Sequence, residues 1–304
     1  MFTSTTSILQ KAQRGGYAVG HFNINNMEMV QAIVNAAVKL KSPIILATSE
    51  GAIHYAGMEY LYALAKTASE INKIPLALHL DHGRDMKIIE KAIKIGYSSV
   101  MIDASHEDFE RNIALTKKVV QMAHRKGISV EAELGTIGGV EDAVKSRNIL
   151  YTDPAKAQEF VQRTGCDFLA IAIGTSHGAF KFAGKAHLRM DILKEVRKRV
   201  KIPLVLHGAS CVPLSAVKEA QKYGANLKGV QGVPDAQIKQ AVKNGICKFN
   251  TDTDLRIAFD AGIRKNIVNT PHDFDPRHIL APAREYMQKV VEHRIKLFGS
   301  EGKA

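Results

Sequence analysis

The run Ile74-Pro75-Leu76-Ala77-Leu78-His79 returns, nearly unchanged, as Ile202-Pro203-Leu204-Val205-Leu206-His207. Each copy is short, apolar and closed by a histidine, and each leads into a glycine-containing polar stretch. Runs of this kind suit parallel strands buried on both faces. Outward from this pair, similar runs occupy 18–23, 44–48, 99–102, 129–133, 168–172 and 247–250. With strands at 76–79 and 204–207, this predicts eight in all. Between them the apolar spacing turns helical: Met27, Val30, Ile33, Val34 and Val38 recur near a period of 3.6 residues over 27–39. The stretches 85–95, 107–126, 154–164, 189–200 and 215–223 read similarly, with Gly96, Gly127, Gly165 and Gly224 punctuating the helix ends.

Eight strand–helix alternations without a compositional break predict an α/β fold, a closed (β/α)8 barrel rather than two doubly wound domains. We expect one domain over residues 1–304, with a C-terminal helical arm from about Pro276 that is extra to the barrel and packs on a neighbour. The long polar segment 135–152 reads as an active-site loop.

Composition narrows the function classes. A 45% hydrophobic and 24% charged content is that of a globular protein, and no run reaches the roughly 20 apolar residues of a membrane span. Three widely spaced cysteines with no paired motif, and no signal-like N-terminus, point to a reducing cytoplasm. The net charge of +12 fits either solvated helix faces or attraction of an anionic substrate. With no tryptophan and 6% aromatics there is little to stack on bases, so neither a nucleic-acid partner nor a membrane is expected.

In such a barrel the site forms at the C-terminal ends of the strands. Here the third ends in His79-Leu80-Asp81-His82-Gly83, the fourth in Asp103-Ala104-Ser105-His106, and the fifth contains Glu131-Ala132-Glu133. The sixth leads into Gly174-Thr175-Ser176-His177-Gly178, the seventh into His207-Gly208-Ala209-Ser210, and the eighth into Asn250-Thr251-Asp252-Thr253-Asp254. A lone strand-end histidine is more often a hydrogen-bonded structural residue, and a lone glycine loop an ordinary turn. Convergence changes that balance. Histidines from three strand ends can surround one ion with an open position, a catalytic arrangement suited to Lewis-acid work. The small-residue loops after strands six to eight fall where these barrels bind phosphate. Spacing alone leaves His79 and His82 equal as the third-strand ligand.

At these residues the sequence resembles the class II fructose-bisphosphate aldolases, in their shorter bacterial branch. Besides the strand ends just quoted, Ala47-Thr48-Ser49-Glu50-Gly51-Ala52, Met101-Ile102-Asp103-Ala104-Ser105 and Asn250-Thr251-Asp252-Thr253-Asp254-Leu255-Arg256 carry the likeness, in order, over about the first 260 residues. The resemblance implies reversible, metal-dependent cleavage of fructose 1,6-bisphosphate to dihydroxyacetone phosphate and glyceraldehyde 3-phosphate, in glycolysis and gluconeogenesis. It implies zinc on His82, His177 and His207, and a second divalent ion at Asp103 and Glu133. It gives Asp81 the proton of the C4 hydroxyl and Glu141, in the long loop, the proton at C3. Ser49, Gly178, Lys181, Gly208, Ala209, Ser210, Asn250, Thr251, Asp252 and Thr253 fall at substrate-binding positions. Arg256 would reach the second phosphate from a partner subunit, implying a homodimer or homotetramer, and Gly178 and Gly208 would hold Na⁺ or K⁺.

The nearest rival is tagatose-bisphosphate aldolase, whose eighth-strand motif departs from the one at 250–256. A Schiff-base aldolase would need Lys248 as its buried nucleophile, which leaves the histidines without a role. A basic nucleic-acid-binding protein is the non-enzymatic alternative. Chelation separates the three readings. Cleavage of the ketose bisphosphate should stop in EDTA and return with Zn²⁺. Activity that survives EDTA and is trapped by borohydride would instead identify a lysine enzyme, and absence of cleavage in every condition would leave the binding protein.

Overall fold

Alternation along each strand divides apolar side chains between two cores, and that division builds the architecture. In the computed structural model the strands β1 (Val19–Asn23), β2 (Ile44–Ser49), β3 (Leu76–Gly83), β4 (Ser99–Ile102) and β5 (Ser129–Leu134) are followed by two short strands, β6 (Gly138–Glu141) and β7 (Val144–Ser146). Then come β8 (Phe168–Ile171), the two-residue β9 (Ser176–His177), β10 (Leu204–Leu206) and β11 (Ile246–Thr251). The structure describes residues 1–136, 138–141, 144–146, 150–177, 187–227 and 229–304, with backbone alone at 138–141, 144–146 and 177.

Eight of these strands, all parallel neighbours, close a barrel in the order β1-β11-β10-β8-β5-β4-β3-β2, as the sequence predicts. The remaining three form a small sheet, β7-β6-β9, within and beside the segment read as a polar loop. The outward alternates, among them Phe22, Ile44, Leu46, Leu78, Val100, Val130, Leu169 and Leu206, pack against the surrounding helices in the main core. The inward alternates near the strand starts, Val19, Ile45, Ala77, Phe168, Ala170 and Val205, join Ile8, Leu9 and Ala12 of helix α1 (Thr5–Gly15) in a separate apolar plug. Helix α1 therefore stoppers the barrel floor, pinned by Thr5 Oγ1 donating to Ser99 Oγ (2.8 Å) and Thr6 Oγ1 to Ser129 Oγ (2.7 Å). The site is left to the opposite end.

Side-chain caps start several helices of the ring. Helix α2 (Met27–Lys39) is capped by Asn26, whose Oδ1 accepts from Met29 N–H, and α3 (Glu50–Ala56) by Ser49. After α4 (Met58–Ile71) come α5 (Met86–Ile95), α6 (Phe109–His124) and α7 (Pro154–Thr164), started by Asp85, Asp108 and Asp153. Gly96 and Gly165 close α5 and α7 with left-handed backbone, as their positions in the sequence suggest. The turn continues through α8 (Met190–Arg199), α9 (Leu214–Lys222), α10 (Asp235–Lys243) and α11 (Thr253–Asn269).

The arm is helix α12 (Pro276–Phe298), capped by Asp275. It lies on its own barrel, against α2 and α11, burying Ala283, Met287, Val291, Ile295 and Phe298. Its Arg294 is buried, and donates to Asp254 Oδ2 from Nε (2.9 Å) and Nη2 (2.6 Å) and to the Ala209 carbonyl (3.1 Å). Asp254 in turn accepts from the Val212 N–H at 2.9 Å. The arm thus holds the loop after β10 from behind. Arg294→Met would leave Asp254 as a buried carboxylate without its cation, a change that costs about 3–5 kcal/mol. A thermal midpoint lowered by about 5 °C or more, followed by circular dichroism, is expected; an unchanged midpoint would mean the pair does not hold the arm.

Candidate metal centre

Strict alternation on β3 turns His79 and Asp81 inward and would send His82 outward. Two local features bring it back. His82 has φ of +47°, and the β3–β4 register slips between Leu80 and Gly83. Left-handed backbone costs a non-glycine residue about 1–3 kcal/mol, so the surroundings must impose it. Gly83 is part of that imposition: a Cβ there would lie 2.5 Å from the Met101 carbonyl oxygen, so only glycine lets β4 come this close. As a result Asp81, His82 and His207 present ligand atoms within 4.8 Å of one another.

The two imidazoles meet edge to face, with His82 Nε2 2.8 Å from His207 Nδ1. Their far nitrogens face carboxylates: His207 Nε2 donates to Glu131 Oε1 at 2.6 Å, and His82 Nδ1 donates to Asp103 Oδ2 at 3.3 Å. Both ring protons are thus drawn to the outside, and two lone pairs would meet unless a cation lies between them. With protons alone, that cation is an imidazolium. Burial opposes charge on His82, but Asp81, then Asp103 and Glu133, outweigh it and push its pKa up to about 10. Burial, aided by the charge on His82, takes His207 down to about 4 despite Glu131. A pair that demands one positive charge between neutral rings fits a divalent ion, and the carboxylates behind the rings fix the tautomers an ion needs.

Asp81 is held on both oxygens. Asn23 Nδ2 donates to Oδ2 and Asn250 Nδ2 to Oδ1, each at 2.9 Å. Burial would raise its pKa, but His21 and His82 outweigh burial and keep the carboxyl well below the usual range, so it is ionised. The amides are themselves oriented. His21 Nε2 lies 3.1 Å from Asn23 Oδ1, and Lys248 Nζ donates to Asn250 Oδ1 at 2.7 Å. Lys248 also pairs with Glu131 Oε2 at 2.9 Å, both side chains fully buried. The amine that a Schiff-base reading would need is already engaged as an ammonium in the barrel lumen. His79 sits in the same layer, with Nδ1 2.7 Å from Ser99 Oγ, and burial and then Lys248 lower its pKa and that of His21. Those two histidines and Asp81 also fall within 4.8 Å, yet the adjacent ammonium disfavours an ion there.

The other sequence candidates distribute around this centre. Ser49 is in register with Asp81 and caps α3 through its Oγ. Gly208, Ala209 and Ser210 follow His207 as a loop whose Ala209 and Ser210 are buried; a Cβ on Gly208 would lie 2.7 Å from the Ser176 carbonyl oxygen. Asn250 and Thr251 end β11, and Asp252 and Thr253 open α11, putting a helix N-terminus beside that loop. Arg256 is tied to Asp252 of its own chain through Nε (2.9 Å) and Nη2 (2.6 Å). The backbone of His177 pairs with Gly139 on β6, the strand that ends at Glu141; the side chains of His177 and Glu141, and the whole of Gly178 and Lys181, lie outside the described residues. Glu133 is buried beside His82, and burial and Asp103 raise its pKa well above the usual carboxylate value.

Sequence reasoning overlooked Asn23, His21 and Arg84, and passed over Glu131 as part of a motif. The signal was present for all but Arg84: Glu131 alternates with Glu133, and His21 with Asn23, so each pair had to share the lumen.

The sequence profile described as fructose-bisphosphate aldolase class-II matches residues 3–303. A fructose-bisphosphate aldolase of Thermus caldophilus is 48% identical, with both chains covered in full. One from Giardia intestinalis is 46% identical over 98% of this chain and 93% of its own. Among solved structures, the YdjI aldolase of Escherichia coli K12 superposes with a TM-score of 0.82 at 36% identity, again covering both chains fully.

The carboxylate behind His207 can be tested directly. Glu131→Gln should weaken divalent-ion binding about 10–100-fold, measured by competition with a chromogenic chelator. Unaltered affinity would show that Glu131 does not tune His207.

Proposed function

Because the chain belongs to the class-II fructose-bisphosphate aldolases, we propose that His82, His177 and His207 hold its metal as zinc, that Asp81 is the base at the C4 hydroxyl, and that Glu141 is the acid at C3. The chain is a metal-dependent aldolase that reversibly splits fructose 1,6-bisphosphate into dihydroxyacetone phosphate and glyceraldehyde 3-phosphate. One observation carries the residue assignment: an ionised carboxylate, anchored on both oxygens, stands within ligand distance of two facing imidazoles.

When bound, the ion supplies Lewis-acid polarisation of the ketose carbonyl and positive charge beside the electrons released at C3. Asp81 takes the C4 hydroxyl proton as the C3–C4 bond breaks, so that the C4 oxygen becomes the aldehyde carbonyl. Asn23 and Asn250 keep the carboxylate aimed while it does so. Glu141 then delivers a proton to C3, completing dihydroxyacetone phosphate. Support for Glu141 comes from its place on β6, two residues beyond Gly139, whose backbone pairs with that of His177.

Substrate binding falls to Ser49, Gly178, Lys181, Gly208, Ala209, Ser210, Asn250, Thr251, Asp252 and Thr253, with Na⁺ or K⁺ near Gly178 and Gly208. Arg256 reaches the second phosphate of a partner subunit in a homodimer or homotetramer, which requires it to leave Asp252. A second divalent ion would draw on His82, Asp103 and Glu133, whose ligand atoms lie within 4.8 Å, and would compete there with Arg84. We read residues 1–304 as one domain. Among the described residues no helix is long and apolar enough to cross a membrane; with three free cysteines, we assign the enzyme to the cytoplasm.

Cleavage of fructose and tagatose bisphosphates, with metal analysis on the same preparations, tests this assignment. Asp81→Ala should retain the metal and lose about 10²–10⁴-fold in turnover. His177→Ala should lose metal and turnover together. Full activity in Asp81→Ala would remove Asp81 from the mechanism.

A further inference from the structure

We propose that the Arg84 guanidinium occupies the charge position a second divalent ion would need, so that Asp103 orients His82 and each chain takes one divalent ion. This rests on the metal site at His82 and His207. Arg84 directly follows Gly83 at the β3 end, and its backbone is fixed there: the N–H groups of Arg84 and Asp85 both donate to Glu50 Oε1, at 2.7 and 2.8 Å. From that anchor its Nε and Nη2 both donate to Asp103 Oδ2, at 3.0 and 2.7 Å. The same oxygen accepts His82 Nδ1–H at 3.3 Å. The other oxygen accepts from Ser105 Oγ at 2.8 Å and from the Ser105 N–H at 3.3 Å. A carboxylate offers about four lone-pair positions, and five donors already converge on these two oxygens. Asp103 could ligate an ion only by giving up the guanidinium fork, and the ion would then face a fixed positive charge that cannot be deprotonated.

Glu133 completes the argument. Among the described residues its Oε2 is buried without a hydrogen bond, and it lies 3.9 Å from His82 Nδ1. It is the group an added ion would relieve, so the acidic pair is a latent site that Arg84 closes. Holding Asp103 has a further effect. An anchored carboxylate keeps the His82 proton on Nδ1 and directs the Nε2 lone pair at His207, which a mobile one would not.

Metal-to-protein ratios settle the matter without reference to activity. The chain, dialysed to equilibrium against Zn²⁺ and analysed by plasma mass spectrometry, should hold one equivalent. Arg84→Ser should hold two. Asp103→Asn should still hold one, bound about 10–100-fold more weakly because His82 has lost its orienting partner. Two equivalents in the unmodified chain, one in Arg84→Ser, or undiminished affinity in Asp103→Asn would each overturn the inference. If Arg84→Ser does not fold, the unmodified chain and Asp103→Asn still decide. No bound metal in the unmodified chain would remove the His82–His207 site itself, and the inference with it.

Discussion

Charge inside a barrel must be matched, and the buried pair of Lys248 and Glu131 is where this structure meets that demand. Two fully buried ions, 2.9 Å apart, give each other the partner that water would otherwise provide. Each has a second task. Glu131 turns its other oxygen to His207, and Lys248 turns to Asn250, whose amide then points its NH₂ at Asp81. The carboxylate proposed as base and one proposed metal ligand are thus oriented by opposite ends of one ion pair. Below it the lumen is apolar and plugged by α1; above it every layer is polar.

The second constraint is backbone strain at His82. A strand can offer only alternate residues to one face, yet both Asp81 and His82 lie beside His207 at the mouth. The left-handed turn at His82 and the register slip beside it satisfy both, at the cost of a conformation that a histidine does not choose. Strain of this kind persists because tight strand packing at Gly83 and the hydrogen bond to Asp103 over-determine it.

These two devices mark the limit of what could be read from the sequence. The strands were legible because a parallel strand buried on both faces is written as a continuous apolar run, and predicted ends differ from the observed ones by a few residues at most. At β3 the difference matters: the strand runs on through the polar residues to Gly83, because the barrel mouth buries them. The convergence of strand-end histidines was legible from topology. The turn of His82 toward His207 was not, since the φ angle that produces it is not written in the residue types. Nor was the role of Lys248, which composition marked as a buried amine but could not pair with Glu131, three barrel strands earlier in sequence. Pairings across the lumen leave no local pattern. The same holds for Arg84, a surface-like residue in sequence whose partner lies on the next strand.

The contact between Arg294 and Asp254 gives the chain a temporal order. Every barrel strand is synthesised before α12, so during translation the ring can close while Asp254 still lacks its cation. The loop at Ala209, which leans on the same guanidinium, stays unsupported until the arm arrives. The corner assigned to phosphate therefore depends on a side chain supplied by the last helix of the fold.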